Sequence, residues 1–362
     1  MSNYVLYDYL QVSGGAERLS IDLVEGLPNT TLVVSRIYAA AEALQPQKIL
    51  GDKLRCIGSL SSLLTFRIID SLAAFLLNTR FLENANSVIY SGTYSPLAVI
   101  NQKRGHRCYY CHTPPRYMFD WRPRYIERIP VIFRPIVSMM IDLIKDRYVN
   151  SLNQMDVIVA NSQNVSNRLN KYLGIDARVI YPPIDTNHFH WIESGDYFVS
   201  LARLQPQKRV DRIIEAFLDL PDQKLVVASG GSDETRLKEM VGDAPNIRFA
   251  GWQTDAQLSQ LIGGARAALY VAEDEDFGMS PVEAMASGKP VIGVREGGLV
   301  ETILDGETGV MLSSNFTKDE LINSIMSMTS QKAVAMRVAC EERAQFFSKE
   351  QFIRSMREVA FI

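Results

Sequence analysis

Short apolar runs alternate with amphipathic segments along almost the whole chain, and this alternation limits the folds that the chain can adopt. A short apolar run between turn residues is typical of a buried strand, whereas apolar residues spaced three and four apart indicate a helix. Strands that alternate with helices predict parallel sheets covered by helices, the α/β class. We predict strands at 4–10, 31–37, 87–91, 107–111, 156–160, 178–181, 197–201, 225–229, 247–250, 268–271, 290–294 and 309–312.

Helices are predicted between these strands, and one pair of prolines divides the series. We expect helices at 16–26, one or two within 54–83, and at 210–219, 233–241, 255–262, from Pro281, at 318–329 and at 333–347. Pro182-Pro183 interrupts the pattern, because proline cannot continue a helix. We therefore predict two doubly wound α/β domains, 1–185 and 195–348, facing each other across a cleft, with ligands beyond the carboxyl ends of the strands.

Composition agrees with two globular domains. The chain has 362 residues, of which 47% are hydrophobic and 22% charged, and its net charge of −3 argues against a general nucleic-acid-binding protein. Residues 1–185 carry 20 Lys or Arg against 15 Asp or Glu, whereas the remainder carries 18 against 26. We expect this asymmetry to give the two domains different partners.

The N-terminus and the cysteines favour a cytoplasmic protein. The start MSNYVLYDYL lacks a basic region and carries Asp8 within its apolar run, unlike a signal peptide. Four cysteines are too few for a disulfide framework in this length. Cys108 and Cys111 do form a C-x-x-C-H pattern with His112, but haem attachment would need export and exposed cysteines, so we favour a plain strand end.

Residues 268–288 combine a strand, an acidic loop and the start of a helix. Gly278 lies in the loop, and Pro281 suits a first helical turn because its missing N–H has no partner there. Unpaired amides at such a turn can bind an anion. Glu275 and Glu283 lie eight positions apart across it. If neither residue has a functional role, Glu275 is a loop carboxylate and Glu283 is a first-turn charge that interacts with the helix dipole.

Two cations and a glycine pair lie at other predicted strand-to-helix turns. Arg203 follows strand 197–201 and Lys208 lies five residues further on. Beside a diphosphate they would supply a guanidinium fork and a point charge, although an isolated pair of this kind is more often a solvated basic loop. Gly14-Gly15 follows the first strand, where a phosphate or sugar could approach the backbone, but a lone Gly-Gly is more often a simple turn.

An ordered series of motifs runs through the second domain. Its members are Arg203, Lys208, Ser229-Gly230-Gly231, NIRFAGW, the Glu275/Glu283 turn and GVREGGLVETILDGETGV. The series resembles the pattern of family 4 glycosyltransferases, which are retaining sugar-transfer enzymes of the GT-B fold, over nearly all of this domain. The resemblance implies two Rossmann-like domains and a terminal helix, 349–362, that crosses back onto the first.

The resemblance also implies roles for matching residues. Glu283 would accept hydrogen bonds from the nucleotide ribose, and Glu275 would contact hydroxyls of the donor sugar. Arg203 and Lys208 would stabilise charge on the leaving nucleoside diphosphate. The other donor-contacting positions would be Gly14, Gly15, Gly230, Gly231, Phe277, Gly278, Met279 and Ser280.

Asp274 and Asp276 raise a metal-dependent alternative. Together they match the D-x-D motif, which binds a metal ion in the other glycosyltransferase fold, GT-A. We favour metal-independent transfer, because the motif lies far along the chain and Arg203 and Lys208 can replace the charge of a metal ion. The expected ligand is then a nucleotide sugar as substrate, with no cofactor.

The most informative stretch of the first domain is YYCHTPPRYMFDW, residues 109–121. His112 would hydrogen-bond a sugar hydroxyl as a neutral imidazole. Tyr117, Phe119 and Trp121 would stack on sugar faces or, more commonly, pack in the core. The stretch resembles the CHTPxRYxxD segment of bacterial mannosyltransferases that build O-antigen and other surface polysaccharides, as the Gly14-Gly15 loop does. That resemblance implies GDP-mannose as the donor.

We therefore predict a retaining hexosyltransferase that moves mannose from GDP-mannose to a saccharide acceptor, without a nucleic-acid partner. Attack on the same face, guided by the leaving phosphate, needs no protein nucleophile, so the two-carboxylate logic of glycosidases does not apply. Two alternatives stay open: a non-hydrolysing nucleotide-sugar epimerase, and a nucleotide-sugar-binding subunit without turnover. Detecting transferred sugar separates the first function from both.

Residues 103–147 contain ten Lys or Arg and four acids. Within them, YIERIPVIFRPIVSMMIDLIK mixes apolar residues with spaced arginines, which suits a segment lying on an anionic lipid surface. A basic-edged helix packed on the first domain is the alternative. Because acceptors in the resembled family are often lipid-linked, we expect peripheral, salt-sensitive binding at the inner face of the cytoplasmic membrane.

Overall fold

The chain forms two compact units. The computed structural model describes residues 2–12, 14–58 and 67–361. One unit comprises Met1–Tyr181 with Phe352–Ile362, and the other comprises Pro182–Gln351. The chain passes from the first unit to the second between Tyr181 and Pro182, the first of the two adjacent prolines.

The first unit is built on a seven-stranded sheet in which every strand pair is parallel. Its strands are β1 (Asn3–Tyr7), β2 (Thr30–Val34), β3 (Leu54–Cys56), β4 (Ser87–Ser91), β5 (His106–Cys111), β6 (Val157–Ala160) and β7 (Arg178–Val179). The strand order is β3-β2-β1-β4-β5-β6-β7. Register is set by pairs such as Val5 with Leu32 and Val5 with Ile89.

Helices cover both faces of this sheet. They are α1 (Gly15–Gly26), α2 (Pro46–Leu50), α3 (Arg67–Leu77), α4 (Arg122–Glu127), α5 (Arg134–Leu152) and α6 (Gln163–Leu173), with 3₁₀ turns at Ala39–Leu44, Gly51–Lys53, Arg80–Asn84, Ser95–Asn101 and Val131–Phe133. Neighbouring strand residues point to opposite faces. Leu6 therefore joins the core under α3 and α5, whereas Val5 joins the core under α1. The sheet is buried on both sides, as parallel sheets require.

The second unit repeats this plan with six parallel strands. They are β8 (Tyr197–Ser200), β9 (Lys224–Val227), β10 (Ile247–Phe249), β11 (Ala267–Tyr270), β12 (Val291–Val294) and β13 (Gly309–Leu312), in the order β10-β9-β8-β11-β12-β13. The helices are α7 (Val210–Leu218), α8 (Glu234–Val241), α9 (Asp255–Gly263), α10 (Met279–Ala286), α11 (Leu299–Thr302), α12 (Lys318–Ser327), α13 (Ser330–Ala335) and α14 (Arg337–Gln345). The predicted α/β class is confirmed.

The last helix, α15 (Lys349–Ala360), packs on the first unit. Phe352 and Met356 are buried in the core beneath α1, and Arg357 donates a hydrogen bond to the Gly26 carbonyl at 3.1 Å. Gly26 permits this approach, because a Cβ there would lie 2.5 Å from Ile353 Cδ1. Burying a side chain such as Phe352 stabilises the unit by about 1.5–3 kcal/mol.

Two predicted helical segments differ from the structure. One or two helices were expected within 54–83, and α3 lies there, but Leu54–Cys56 at its start is the edge strand β3, paired with β2. Three half-exposed residues are too few to show a strand period. Residues 59–66 of that segment lie outside the described part of the chain, and α3 and a 3₁₀ turn follow. The helix predicted at 333–347 is two helices, α13 and α14, the first capped by the Thr329 hydroxyl.

Each sheet reverses its strand order beside its first strand, at β1/β4 and at β8/β11. The loops that leave the carboxyl ends of two such strands diverge and open a crevice, where ligands of doubly wound folds bind. Across the described residues, none of the helices has the length and apolar character needed to cross a membrane.

Candidate active site

Lys208, Tyr270 and Glu275 form a hydrogen-bonded cluster at the β8/β11 switch point. Lys208 lies in the turn after β8, Tyr270 ends β11, and Glu275 lies in the acidic loop that follows. Lys208 Nζ is 2.5 Å from Glu275 Oε2 and 3.2 Å from the Tyr270 hydroxyl, which donates to the same carboxylate oxygen at 2.8 Å. Sequence reasoning selected Lys208 and Glu275 but missed Tyr270, because its apolar run is typical of core.

Electrostatics keep this cluster ionised in a site that is largely closed to water. The side chains of Lys208 and Glu275 are 18% and 15% exposed. Burial disfavours the charge on Lys208, but Tyr270 and Glu275 outweigh burial and hold the pKa of the ammonium above its ordinary value. Burial also raises the pKa of Tyr270, so its hydroxyl stays protonated and donates. At neutral pH the cluster is therefore a Lys–Glu ion pair braced by a neutral phenol.

Backbone contacts fix the acidic loop between the Lys208 turn and a glycine pair. The Glu273 amide donates to the Gln207 carbonyl at 2.8 Å, and the Gly298 amide donates to the Glu275 carbonyl at 2.7 Å. Gly297 has φ +56°, and a Cβ there would lie 2.4 Å from that same Glu275 oxygen. Only glycine allows both the left-handed conformation and this close approach. The glycine pair therefore sets the position of the Glu275 carboxylate.

Glu296 connects the two loops through their strained residues. Arg209 and Asp274 both have left-handed backbones, with φ +51° and +47°. Glu296 accepts from Arg209 Nη1 through Oε2 and from the Asp274 amide through Oε1, each at 3.0 Å. Left-handed non-glycine residues are unfavourable unless their surroundings hold them, and here one carboxylate holds both. Sequence reasoning quoted the motif GVREGGLVETILDGETGV but did not single out Glu296 within it.

Gly230 and Gly231 pack against the turn that carries Arg203. A Cβ at Gly231 would lie 2.2 Å from the Leu204 carbonyl oxygen, and one at Gly230 would lie 2.5 Å from Trp252 Nε1. The Leu204 amide donates to the Gly230 carbonyl at 3.1 Å. Arg203 is partly buried, and within the described residues its guanidinium has no hydrogen-bond or ion-pair partner. The glycine pair thus presents a cation whose donors are available to a ligand.

The N-terminus of α10 follows the acidic loop directly. Gly278 is its N-cap with φ +91°, and a Cβ there would lie 2.7 Å from Leu299 Cδ2. No side chain of a described residue caps this terminus, and the first amides of a helix, here including Met279 and Ser280, have no intrahelical acceptor. The Phe277 side chain is instead buried against Phe347, with ring centroids 5.3 Å apart. Phe277 can therefore serve a ligand through its backbone alone.

Glu283 lies further along α10 than its sequence suggested. The helix begins at Met279, so Glu283 is its fifth residue and not a first-turn charge, and the dipole interpretation is wrong. The helix starts two residues before Pro281, because proline at the third position still lies in the first turn, where its missing N–H is not needed. The Glu283 side chain is partly buried.

In the first unit, His112 lies directly after β5, and Gly14-Gly15 begins α1 after β1. His112 Nε2 is 2.8 Å from the Ser91 hydroxyl, and the imidazole packs edge-on against Tyr110 at 5.2 Å. Burial lowers the pKa of His112 to about 4, so the ring is neutral at pH 7. Gly14 is the N-cap and Gly15 the first residue of α1.

Asp8 organises the β1/β4 switch point and was missed as a site residue. Its carboxylate accepts from the amides of Thr93, Tyr94 and Ser95 at 2.7, 2.8 and 2.8 Å. Burial raises the pKa of Asp8 to about 6, although these three hydrogen bonds oppose the rise. Sequence reasoning used Asp8 only as an argument against a signal peptide. An acid at the end of a buried strand was the available signal.

The aromatic side chains predicted to stack on sugars have partners within the protein. Phe119 stacks on Tyr172 with centroids 5.2 Å apart, and the Arg116 guanidinium lies 4.4 Å above the Trp121 ring. Tyr117 packs against the core. The core-packing alternative therefore describes Tyr117 and Phe119, whereas Trp121 lies against the guanidinium groups of Arg116 and Arg124.

The cysteines and acids of the two metal-type motifs do not form a metal centre in the described part of the chain. Cys108 and Cys111 are buried in β5, and burial raises the pKa of Cys108 to about 12. Among the described residues, no group of three or more His, Cys, Asp or Glu side chains is arranged to hold a metal ion, and this includes Asp274 and Asp276.

Family models match both halves of the chain. The model of Glycosyltransferase Family 4 matches residues 13–188, and the model of Glycosyl transferases group 1 matches residues 185–346. The chain belongs to glycosyltransferase family 4. The stretch that the first model matches includes His112, and the stretch that the second model matches includes Lys208, Tyr270 and Glu275 of this family 4 chain.

Individual relatives are more distant. The chain is 30% identical over 193 residues to an uncharacterized glycosyltransferase of Methanocaldococcus jannaschii, covering 50% of this chain and only 54% of that protein. It is 23% identical over 366 residues to the alpha-1,3/1,6-mannosyltransferase ALG2 of Dictyostelium discoideum, covering 82% and 83%. Anabaena HepE in complex with UDP and glucose has the same fold, with a TM-score of 0.76, 17% identity and 99% of both chains covered. The two Rossmann-like sheets are those of GT-B glycosyltransferases.

Proposed function

We propose that the chain is a retaining hexosyltransferase that moves mannose from GDP-mannose to a saccharide acceptor. The observation that carries this proposal is the arrangement at the β8/β11 switch point. There an available guanidinium, a Lys–Glu ion pair and an uncapped helix N-terminus lie on the two loops that follow β8 and β11. This combination suits a ligand with a diphosphate at one end and a polyhydroxylated ring at the other.

The cations supply electrostatic stabilisation of the leaving group. As the sugar–phosphate bond breaks, negative charge grows on the nucleoside diphosphate, and donors fixed in advance stabilise that charge more than they stabilise the ground state. Arg203 offers a planar fork to the phosphate oxygens, and Lys208 offers a point charge. The amides at the start of α10 add the positive end of the helix dipole.

The carboxylates recognise hydroxyl groups. Glu275 would accept hydrogen bonds from the donor sugar, and Glu283 from the nucleotide ribose. Both act as acceptors, so neither has to form a covalent intermediate. The neutral imidazole of His112 would hydrogen-bond a sugar hydroxyl, which its lowered pKa permits throughout the neutral range. With Arg203 and Lys208 in place of a divalent ion, we propose transfer without a metal or other cofactor.

Mannose and a lipid-linked acceptor are the finer parts of the proposal. Mannose is supported by the resemblance of residues 109–121 to bacterial surface-polysaccharide mannosyltransferases and by the mannosyltransferase relative. UDP and glucose in the related Anabaena structure support binding of a nucleotide sugar, and they make UDP-glucose the necessary competitor in any test. The acceptor would be a saccharide carried on a lipid at the inner face of the cytoplasmic membrane.

A donor panel tests the proposal. Purified full-length chain is incubated with radiolabelled GDP-mannose or UDP-glucose and a saccharide acceptor pool, with and without EDTA. We expect transfer from GDP-mannose that survives EDTA, and a higher unfolding temperature with GDP than with UDP. Transfer from UDP-glucose alone would refute the mannose donor, and loss of activity in EDTA that manganese restores would refute metal independence. Altered free nucleotide sugar without transfer would indicate an epimerase instead.

A further inference from the structure

The imidazole of His112 is held by neighbouring side chains on three sides and is open at one nitrogen. Its Nε2 atom lies 2.8 Å from the Ser91 hydroxyl. The ring packs edge-on against Tyr110 and Tyr7, with centroids 5.2 and 6.0 Å away. Among the described residues, Nδ1 has no hydrogen-bond partner and is not enclosed. The ring therefore has one nitrogen that is fixed and one that a ligand can reach.

Three adjacent strands bring these side chains together at the carboxyl edge of the first sheet. Tyr7 ends β1, Ser91 ends β4 and His112 follows β5, and the strands are neighbours in the order β1-β4-β5. Tyr7 and Ser91 are register partners. Strand β4 is hydrogen-bonded to β1 on one side and to β5 on the other. The sheet itself therefore sets the distance from the Ser91 hydroxyl to the His112 ring.

The residues that follow Ser91 are fixed as well. A Cβ at Gly92 would lie 2.4 Å from Asp8 Oδ1, so the backbone passes directly over the Asp8 carboxylate. That carboxylate accepts the three amides of residues 93–95. Ser91 is 0% exposed. Its hydroxyl is thus fixed in a buried position, beside an imidazole that is only partly buried.

The burial of Ser91 decides which nitrogen of His112 carries the proton. Burial lowers the pKa of His112 to about 4, so at neutral pH only one ring nitrogen is protonated. Within the described residues, Nε2 is the only hydrogen-bond partner of the Ser91 hydroxyl. A protonated Nε2 would donate to the hydroxyl oxygen and leave the buried hydroxyl hydrogen without an acceptor, which is unfavourable. The hydroxyl therefore donates to Nε2, and the ring proton lies on Nδ1.

We propose that Ser91 is a positioning residue that fixes His112 as a hydrogen-bond donor, with Nδ1–H bound to an oxygen atom of the saccharide. The identity of this ligand rests on the proposed sugar transfer, whereas the position of the proton does not. A sugar hydroxyl can donate and accept, and a donor at Nδ1 binds its oxygen and leaves its hydrogen for another acceptor. A protonated Nδ1 also cannot take a proton from an attacking hydroxyl, so His112 does not act as a general base.

A serine bonded to a histidine is also the arrangement of a nucleophile and its base. Ser91 does not suit that role, because its hydroxyl is fully buried and a substrate carbon cannot reach it. The base of such a pair is oriented by a third group at its other nitrogen. In the described part of the chain no residue bonds Nδ1 of His112. The pair therefore fits positioning and not nucleophilic attack.

Nitrogen NMR tests the position of the proton without any assay of transfer. The chain has four histidines, so a sample with isotope-labelled histidine gives few signals, and His112→Asn identifies those of His112 by difference. At neutral pH we expect a proton on Nδ1 and an unprotonated Nε2. Ser91→Ala removes the donor to Nε2 and should populate both tautomers. A proton on Nε2 in the parent, or the parent tautomer unchanged in Ser91→Ala, would overturn the proposal.

Two substitutions of His112 separate the roles of its two nitrogens. The side-chain amide of asparagine can replace Nδ1, whereas that of glutamine can replace Nε2. We expect kcat/KM for sugar transfer to fall about tenfold in His112→Gln and in Ser91→Ala, but only about threefold in His112→Asn, which keeps a donor to the sugar. Higher activity in His112→Gln than in His112→Asn contradicts a donor at Nδ1.

The matched control is Ser166→Ala, which removes another buried serine hydroxyl from the first unit. Ser166 lies in α6 and donates to the Ala177 carbonyl at 3.1 Å. This variant should keep the His112 tautomer and the transfer rate of the parent. If it changes both as much as Ser91→Ala does, the effect of Ser91 is a general loss of packing and the proposal is wrong. If no nucleotide sugar supports transfer by the parent, the proposed function fails, and the nitrogen spectra still decide the role of Ser91.

Discussion

The ion pair between Lys208 and Glu275 should be energetically coupled, and its coupling can be compared with that of an exposed pair in the same unit. Lys224 and Asp196 have the same 2.5 Å separation as Lys208 and Glu275, but their side chains are 61% and 69% exposed instead of 18% and 15%. Solvent screens exposed pairs, whereas removing one partner of a buried pair leaves the other charge desolvated. Because the two separations are equal, the difference in burial should give the two pairs different coupling energies in double-mutant cycles.

The magnitude follows from how far Lys208 and Glu275 are buried. Removing one partner of a fully buried pair costs about 3–5 kcal/mol. Here each side chain keeps some exposure, and the Tyr270 hydroxyl still donates to Glu275 after Lys208 is lost. We therefore expect Lys208→Met to destabilise the second unit by about 2 kcal/mol, with roughly 1–2 kcal/mol of coupling to Glu275→Gln. For a unit of this size that is roughly 4–8 °C in unfolding temperature.

The assay is a double-mutant cycle read by thermal unfolding and by sugar transfer. Lys208→Met, Glu275→Gln and their combination are compared with Lys224→Met, Asp196→Asn and theirs. Transfer by Lys208→Met should fall about 10²- to 10³-fold, as when a fixed donor to a developing oxyanion is removed, whereas Lys224→Met should keep the parent rate. Equal coupling in the two cycles, or a parent rate for Lys208→Met, would refute the reasoning.

Three further perturbations address other parts of the structure. Glu296→Gln should destabilise the second unit by about 1–2 kcal/mol and weaken donor binding, measured by calorimetry, because a neutral amide holds the strained loops less well. Asp8 has a folded pKa of about 6, above the unfolded value of 3.8, so its ionisation opposes folding. Between pH 4.5 and 7 the free energy of unfolding of the parent, measured with urea, should therefore fall by about 2 kcal/mol relative to that of Asp8→Asn. The same difference between the two proteins at both pH values would contradict this. Phe352→Ala should destabilise the first unit by about 3–5 kcal/mol, because the side chain is buried. Phe346→Ala should destabilise the second unit much less, because the Phe346 side chain is half exposed.

Strands with a run of buried residues were predictable, and the short, largely exposed strand β3 was not. Residues 87–91 were predicted to the residue and a strand was predicted near 309–312, since each is a run of mostly buried residues between turns. Strand β3 was missed because Leu54–Cys56 lies at the sheet edge, where one neighbour and partial exposure leave no apolar pattern. Its pairing with β2 is a tertiary fact, and tertiary context overrides local preference.

Some residues of the candidate site could also be predicted from the sequence, and others could not. Lys208 and Glu275 could be selected because charged residues that follow predicted strands gather at the carboxyl edge of a parallel sheet. Tyr270 could not, since a tyrosine within an apolar run looks like core until the position of its hydroxyl is known. Glu296 is missed for a further reason. It binds the backbone amide of Asp274 and the guanidinium of Arg209, two residues whose left-handed conformations are known only from the structure.

The two cations of the β8/β11 site differ in a way that bears on donor binding. Lys208 already has its counter-charge in Glu275, whereas the Arg203 guanidinium has no partner among the described residues. An incoming diphosphate would therefore meet Arg203 first without breaking any protein contact. If a phosphate oxygen then drew Lys208 away, Glu275 would keep the Tyr270 hydrogen bond and regain an acceptor site for a sugar hydroxyl. In this account the ion pair keeps Glu275 in place before the donor arrives, and exchange of its partner couples recognition of the phosphate to recognition of the sugar.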